Sequence, residues 1–189
     1  MKIIELLTGM TAPLFFDYQA ERLFPDEPKH LVSVQLARFV RAGALVRLKR
    51  GLYEFPHAKI DEFVLANFIY RPSYVSMESA LNYYGIIPDV VQNITSVNRI
   101  TSKLIRTSLG NFIYSKIRKD LYFGFESVKD ANSPLYYLIA SPEKALLDYI
   151  YIRKINDLSE QRIDAIYINR KQLMNLSHSF PTWVNKVVK

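Results

Sequence analysis

The stretch from residue 29 to residue 55 constrains the fold most, because a helical pattern runs directly into a hairpin pattern there. The first half has apolar residues at helical spacing and ends at Gly43. The second half has two short β-type runs, 45–48 and 52–55, on either side of a turn at Lys49-Arg50-Gly51. A helix followed by a hairpin is how a winged helix-turn-helix ends, so we expect this module at the N-terminus.

The same stretch is strongly cationic. Between Lys29 and Gly51 the sequence contains six Lys or Arg residues and no Asp or Glu. The two phosphate backbones of a duplex border each groove, so a cationic helix next to a cationic turn suits double-stranded DNA. The formal net charge of +7 and the pI of about 9.5 also indicate an anionic partner.

Helical spacing indicates which residues face that partner. Gln35, Arg38 and Arg41 are three residues apart, which places them on the face opposite the apolar one. We expect base contacts from these three, since Arg pairs with guanine and Gln with adenine. Phosphate contacts are expected at the helix start from Lys29 and His30. Phosphate or minor-groove contacts are expected at the hairpin from Arg47, Lys49 and Arg50. The alternative is an ordinary solvated helix face with solubility charges.

The N-terminal domain is predicted to cover residues 1–57. Two further helices are expected over 2–8 and 14–24, with Pro25 and Pro28 ending the second. The core of the module is predicted to include the following apolar residues: Ile4, Leu7, Tyr18, Leu36, Phe39, Leu45 and Tyr53.

The C-terminal domain is predicted to cover residues 58–189 and to pack flanking helices on a mostly antiparallel sheet of four or five strands, which makes the whole chain α+β. Helices are expected over 61–70, 75–84, 159–169 and 171–176, and strands over 94–97, 103–107, 111–117, 121–126 and 135–139. Ser141-Pro142-Glu143 is a strong start for another helix, because it combines a cap, a first-position proline and an acid. Trp183 is expected to dock on the core.

A second basic stretch lies on predicted strands and turns of this domain. Its cationic residues are Arg99, Lys103, Arg106, Lys116, Arg118 and Lys119. Three interpretations stay open: a second nucleic-acid surface, a surface for an acidic protein partner, or edge-strand charges that discourage aggregation. Lys103 and Arg106 differ by an odd number, so a regular strand would place them on opposite faces.

Several classes of function lack sequence support. The three histidines, His30, His57 and His178, lie in unrelated contexts, and no metal, nucleotide or hydrolase motif is present. We therefore expect no enzyme activity, metal or cofactor. The absence of cysteine excludes disulfides and fits a reducing compartment, and no apolar window reaches the roughly 18 residues of a membrane helix. We expect a cytoplasmic protein without a membrane partner.

The C-terminal half contains ordered motifs: YVSMESAL at 74–81, Tyr83-Tyr84-Gly85, Thr95, and ASPEKALLD at 140–148. Together these resemble the AbiEi family of antitoxins and transcriptional regulators from bacterial type IV, or abortive-infection, toxin–antitoxin systems. GAL at 43–45, Arg47-Leu48 and RGLY at 50–53 look like the family's wing signature. Tyr84 departs from the family pattern, which often has His at that position.

The resemblance implies a winged helix that binds inverted repeats in its own promoter and represses it, with two copies on the DNA. It also implies a C-terminal domain that counteracts a nucleotidyltransferase-type toxin. The alternatives are a solitary winged-helix regulator without a toxin, a protein-interaction module acting mainly through the C-terminal domain, and an RNA-binding or RNA-modifying protein.

Overall fold

The structure is a computed structural model that describes residues 1–88, 92–159 and 161–189, and it is mixed α+β. The chain divides into two compact units. The N-terminal unit comprises Met1–Asp61, Thr107–Leu109 and Lys129–Leu135, and the C-terminal unit comprises Glu62–Arg106, Gly110–Val128 and Tyr136–Lys189.

The N-terminal unit alternates helices and short strands. Its elements in chain order are α1 (Ile3–Gly9), β1 (Leu14–Phe16), α2 (Asp17–Leu23), α3 (Lys29–Arg41), β2 (Val46–Lys49) and β3 (Leu52–Glu54). The strands form an antiparallel sheet in the order β1-β3-β2, in which Phe15 and Arg47 both lie opposite Tyr53.

The core of the N-terminal unit is only partly the one predicted. Four predicted members, Leu36, Phe39, Leu45 and Tyr53, are buried, whereas Ile4, Leu7 and Tyr18 are exposed and that part of the prediction is wrong. The short first helix presents a different residue to the core, because Leu6 is fully buried there. Phe15, Ala20 and Val32 belong to the same cluster of buried residues, and Leu14, Leu48 and Leu52 are buried in this unit as well.

The predicted helix over 14–24 is also wrong in its first turn. Residues 14–16 form β1, which pairs with β3, and α2 begins only at Asp17. The Gln19 side chain accepts a hydrogen bond from the Phe16 backbone N–H at 2.8 Å, which stabilises the start of the helix at this point. A three-residue strand is too short for a clear period, and its partner lies far away in sequence.

In the part of the C-terminal unit that the structure describes, six strands form one mixed sheet in the order β6-β7-β5-β4-β9-β8. The elements in chain order are α4 (Glu62–Ile69), β4 (Ser73–Val75), α5 (Glu78–Tyr83), β5 (Ile94–Asn98), β6 (Lys103–Thr107), β7 (Gly110–Lys116), β8 (Phe125–Lys129), β9 (Tyr136–Ala140), α6 (Pro142–Arg153), α7 (Arg170–Ser177) and α8 (Thr182–Val187).

This sheet differs in part from the predicted one, which was mostly antiparallel with four or five strands. β4 and β5 are antiparallel, but β4 pairs with β9 and β5 pairs with β7 in parallel. The predicted helix over 75–84 included Val75, the last residue of β4, whereas the helix begins only at Glu78. A strand was also predicted over 121–126, where Lys119–Leu121 is a short 3₁₀ helix and β8 follows. Strand direction depends on which distant segments pair, and local spacing does not contain this information.

The helices near the C-terminus agree better with the sequence. α6 begins where predicted, and the Ser141 hydroxyl accepts a hydrogen bond from the Lys144 backbone N–H at 3.3 Å. α7 is confirmed, and Trp183 stacks on Tyr151 with a ring separation of 6.1 Å. The predicted helix over 159–169 is wrong for the described residues, where only Ala165–Tyr167 is helical, as a 3₁₀ turn. Residue 160 of that prediction lies outside the described residues. None of the described helices has the length and apolar character needed to cross a bilayer.

The N-terminal unit contains one buried glutamate side chain, that of Glu54. The Glu54 side chain is 6% exposed, and its Oε2 has no hydrogen-bond partner in the described parts of the chain. Burial raises the pKa of Glu54. A carboxyl group with a raised native pKa destabilises the fold as the pH rises from the ordinary glutamate value through the native value, because the unfolded chain ionises more readily.

We therefore expect Glu54→Gln to stabilise the protein at pH 7 by about 1 kcal/mol, because the amide of similar size is neutral and removes the desolvation cost of a buried carboxylate. Urea unfolding measures the change, and the gain should shrink as the pH is lowered towards the ordinary glutamate pKa. Glu126→Gln, at an exposed position of β8, is the matched control and should change stability by less than about 0.5 kcal/mol. A loss of stability in Glu54→Gln at pH 7 would contradict the destabilising effect that we assign to the ionised Glu54 side chain.

Candidate nucleic-acid interface

The outward side of α3 carries both predicted arginines. Val32, Leu36 and Phe39 face the core, and Arg38 and Arg41 are exposed. Leu31 and Val34 are exposed as well and follow the same helical spacing as the two arginines. We call Leu31, Val34, Arg38 and Arg41 the outer face of α3.

Gln35 lies at the margin of this outer face, since it is half-buried. Arg38 Nη1 donates to Gln35 Oε1 at 3.4 Å, and Arg41 Nε donates to the Ala37 carbonyl at 3.5 Å. Both arginines thus lie along the helix and make only long hydrogen bonds, which a better acceptor can replace at small cost. The prediction that Gln35 shares one face with the arginines holds only in part.

The start of α3 carries the other two helix residues of the predicted site. His30 is exposed, and Lys29 Nζ lies 3.5 Å from Glu21 Oε2 of α2. The Lys29 side chain is mostly solvent-exposed, so this ion pair is weak and leaves the lysine able to reach a phosphate.

The hairpin between β2 and β3 is held against the start of α2. Gly51 has φ +76°, which favours glycine, and its carbonyl accepts a hydrogen bond from the Asp17 N–H at 3.0 Å. A Cβ at Gly51 would lie 2.8 Å from Asp17 Oδ2, so any side chain there would require the Asp17 carboxylate to move. Arg47 and Arg50 are exposed on this hairpin, and Lys49 is half-buried.

An array of rings and cations runs beside the hairpin. Lys49 Nζ lies 5.8 Å from the centre of the Phe16 ring, and Phe16 stacks on Tyr18 at 5.5 Å. The Arg22 guanidinium lies 5.5 Å from the centre of the Tyr18 ring. The array fixes Lys49 and adds Arg22 to the cationic surface of this unit. Sequence reasoning missed it, although Tyr18 and Arg22 have i, i+4 spacing within a helix.

The second basic stretch lies on and around β6 and β7 of the C-terminal unit. All six of its cationic residues, Arg99, Lys103, Arg106, Lys116, Arg118 and Lys119, are exposed. Arg99 lies 5.2 Å from the centre of the Tyr122 ring, and Arg118 pairs with Asp120. β6 is an edge strand, so the three interpretations of this stretch all stay open.

A polar cluster that sequence reasoning missed is buried in the C-terminal unit. It consists of Tyr74, Ser76, Lys144 and Asp148, which are fully buried. Lys144 forms an ion pair with Asp148 and donates a hydrogen bond to the Tyr74 hydroxyl at 2.9 Å. The Tyr74 and Ser76 hydroxyls both donate to Asp148 Oδ2 at 2.8 Å. We call these four residues the buried cluster.

Burial opposes both charges of the buried cluster. It raises the pKa of Asp148 and lowers the pKa of Lys144, while the ion pair acts in the opposite direction on each. The Lys144 ammonium also lies 5.3 Å from the ring centres of Tyr74, Phe123 and Phe180. The lysine and the carboxylate satisfy each other inside the fold, and the cluster links Tyr74 of β4 and Ser76 to α6.

The described residues contain no group of three or more His, Asp or Glu side chains that could hold a metal ion. Comparison with known proteins adds no identification, because no family model matches the chain and no curated protein is significantly similar to it.

Proposed function

We propose that this protein is a sequence-specific, double-stranded-DNA-binding autorepressor of transcription of the AbiEi type, with a winged helix-turn-helix at its N-terminus. The observation that carries the proposal is the outer face of α3, where Arg38 and Arg41 are exposed within the same compact unit as a cationic hairpin. In the described parts of the chain, the hydrogen bonds that these two arginines donate are long, at 3.4 and 3.5 Å.

The order of elements supports the winged-helix assignment. Three helices precede the hairpin, and β1, inserted between the first two helices, pairs with the second hairpin strand to give the sheet order β1-β3-β2. In this arrangement α3 is the recognition helix that enters the major groove, and the hairpin is the wing that follows the adjacent backbone.

The proposed contacts divide into two kinds. Arg38 and Arg41 read base edges, with Gln35 as a further contact at the margin of the helix. Lys29, His30, Arg47, Lys49 and Arg50 contact phosphate, where they add affinity without sequence information. One chain covers one half-site, so an operator with inverted repeats binds two copies.

The antitoxin part of the proposal rests on the resemblance of the C-terminal half. Its two longest motifs, 74–81 and 140–148, lie far apart in sequence and supply all four members of the buried cluster. The residues that carry the resemblance thus serve the fold of this unit, which favours a shared domain architecture. A nucleotidyltransferase-type reading frame beside this one would support a toxin partner, and its absence would favour a solitary regulator or a module with another protein partner.

DNA binding is tested by titrating the protein into a labelled duplex that covers the region immediately upstream of its own reading frame. A scrambled duplex of equal length and the separate single strands serve as competitors. We expect the upstream duplex to bind at least about 1,000-fold more tightly than the scrambled one. This ratio is the lower end of the range between specific and non-specific affinity for sequence-specific DNA-binding proteins. Equal affinity for both duplexes would refute the repressor proposal, and a preference for single strands would favour an RNA-binding protein.

If the hairpin contacts phosphate, replacing its cationic residues should change the salt dependence of DNA binding. Lys49→Ala/Arg50→Ala should weaken binding to all duplexes about equally, because phosphate contacts carry no sequence information. The slope of log affinity against log salt, measured from about 50 to about 200 mM, should become shallower by about two units. Lys171→Ala/Lys186→Ala removes the same charge from exposed sites of the C-terminal unit and is the matched control. An unchanged slope in the hairpin variant would remove the wing from the interface.

A further inference from the structure

The outer face of α3 is only half cationic. Leu31 is 48% exposed and Val34 is 44% exposed, one helical turn apart, and Arg38 and Arg41 continue the same line. The core does not use these two aliphatic side chains, because Val32, Leu36 and Phe39 on the other side of the helix already fill it. The first half of the outer face is thus apolar and the second half is cationic.

The chemistry of the major groove matches this division. The C5-methyl group of thymine is the apolar group that base edges present there, and guanine presents the acceptor pair that suits arginine. Ala37, one helical turn after Val34, is small and exposed, so it allows the helix backbone to approach the bases closely there.

We propose that Leu31 and Val34 are specificity-determining residues that read thymine methyl groups, while Arg38 reads a guanine nearby. The inference rests on the DNA binding proposed above and adds a base preference to it. Seven residues separate Leu31 from Arg38, which is about 10 Å along a helix and about three base pairs of DNA. The thymine and the guanine therefore lie within about three base pairs of each other in each half-site.

The test removes the methyl group alone. A random duplex library is first enriched for binding to the full chain, and the selected duplex is then prepared with deoxyuridine in place of each thymine in turn. Deoxyuridine keeps the hydrogen-bonding edge of thymine and lacks its methyl group. Failure of any sequence to be enriched would refute DNA recognition itself, whereas enrichment without methyl dependence refutes only this inference.

We expect one or two deoxyuridine positions per half-site to lower affinity about fourfold, the equivalent of about one buried methylene group. In Leu31→Ala/Val34→Ala the same positions should have no effect. Alanine at exposed helical positions preserves helix propensity, and far-UV circular dichroism verifies the fold. Ile4→Ala/Leu7→Ala removes a matched exposed pair from α1 and should keep the fourfold ratio.

Two results would overturn the inference. The first is equal affinity for thymine and deoxyuridine at every position in the unmodified protein. The second is a methyl dependence that persists unchanged in Leu31→Ala/Val34→Ala, which would assign it to other residues. If that variant instead loses self-association in sedimentation experiments and keeps the methyl dependence, the aliphatic pair is a contact between copies and the inference is wrong.

Discussion

Replacing Arg38 and Arg41 together by alanine is expected to lower affinity for the upstream duplex by at least about 30-fold, since each of two bidentate arginine–guanine pairs is worth about 1–3 kcal/mol. The preference for that duplex over a scrambled one should fall with it. Because both side chains are exposed and make only long hydrogen bonds, the melting temperature should remain unchanged. A gel-shift or fluorescence-anisotropy titration at constant salt measures both quantities.

Arg38→Lys/Arg41→Lys is the matched control for charge. Lysine keeps the positive charge but lacks the planar fork that pairs with guanine, so non-specific binding should persist while the sequence preference is lost. Retention of full affinity and preference in the alanine variant would remove α3 from the interface. A loss of affinity that is equal in the alanine and lysine variants for all duplexes would assign the arginines to phosphate contacts.

Replacing Asp148 by alanine is expected to destabilise the C-terminal unit by about 3–5 kcal/mol, because Lys144 is then buried without its counter-charge. The Tyr74 and Ser76 hydroxyls lose their shared acceptor in the same variant. Urea unfolding followed by circular dichroism measures the change, and a fall in the denaturation midpoint without a change of slope identifies it as lost stability.

The double replacement Lys144→Met/Asp148→Leu tests the origin of this loss. It removes both charges, so the large penalty of one unpaired buried ion should disappear, and the variant should be more stable than Asp148→Ala. Ser76→Ala removes one hydroxyl donor and should cost only about 1 kcal/mol. If Asp148→Ala costs no more than Ser76→Ala, the ion pair does not form as described.

Some elements follow from local sequence alone. Gly43 ends the α3 pattern, Gly51 allows the hairpin turn, and the Ser141-Pro142 pair starts α6, each because backbone conformation and capping are decided within a few residues. The exposure of Arg38 and Arg41 also follows from local sequence, because the apolar face of an amphipathic helix turns towards the core and its charged face turns towards solvent.

Other features depend on partners that are distant in sequence. The strands β1 and β4 have three residues each, which is too short for a clear alternating pattern. The parallel pairs β4–β9 and β5–β7 join strands that are distant in sequence, and the spacing of apolar residues within one strand does not predict its partner. The buried cluster is a similar case, because its members come from residues 74–76 and 144–148, which are brought together only by the tertiary structure.

The sequence by itself determined the α+β class, the cationic helix and hairpin, and the start of α6, because these depend on charge, spacing and backbone preferences of neighbouring residues. The tertiary structure alone decided which of the aliphatic residues of α1 and α3 reach the core, and so left Ile4, Leu7, Leu31 and Val34 in solvent. It also decided the mixed sheet and the burial of the Lys144–Asp148 pair. The physical reason is that burial and strand pairing are properties of distant segments brought together, and their free energies are gained only when the whole unit has folded.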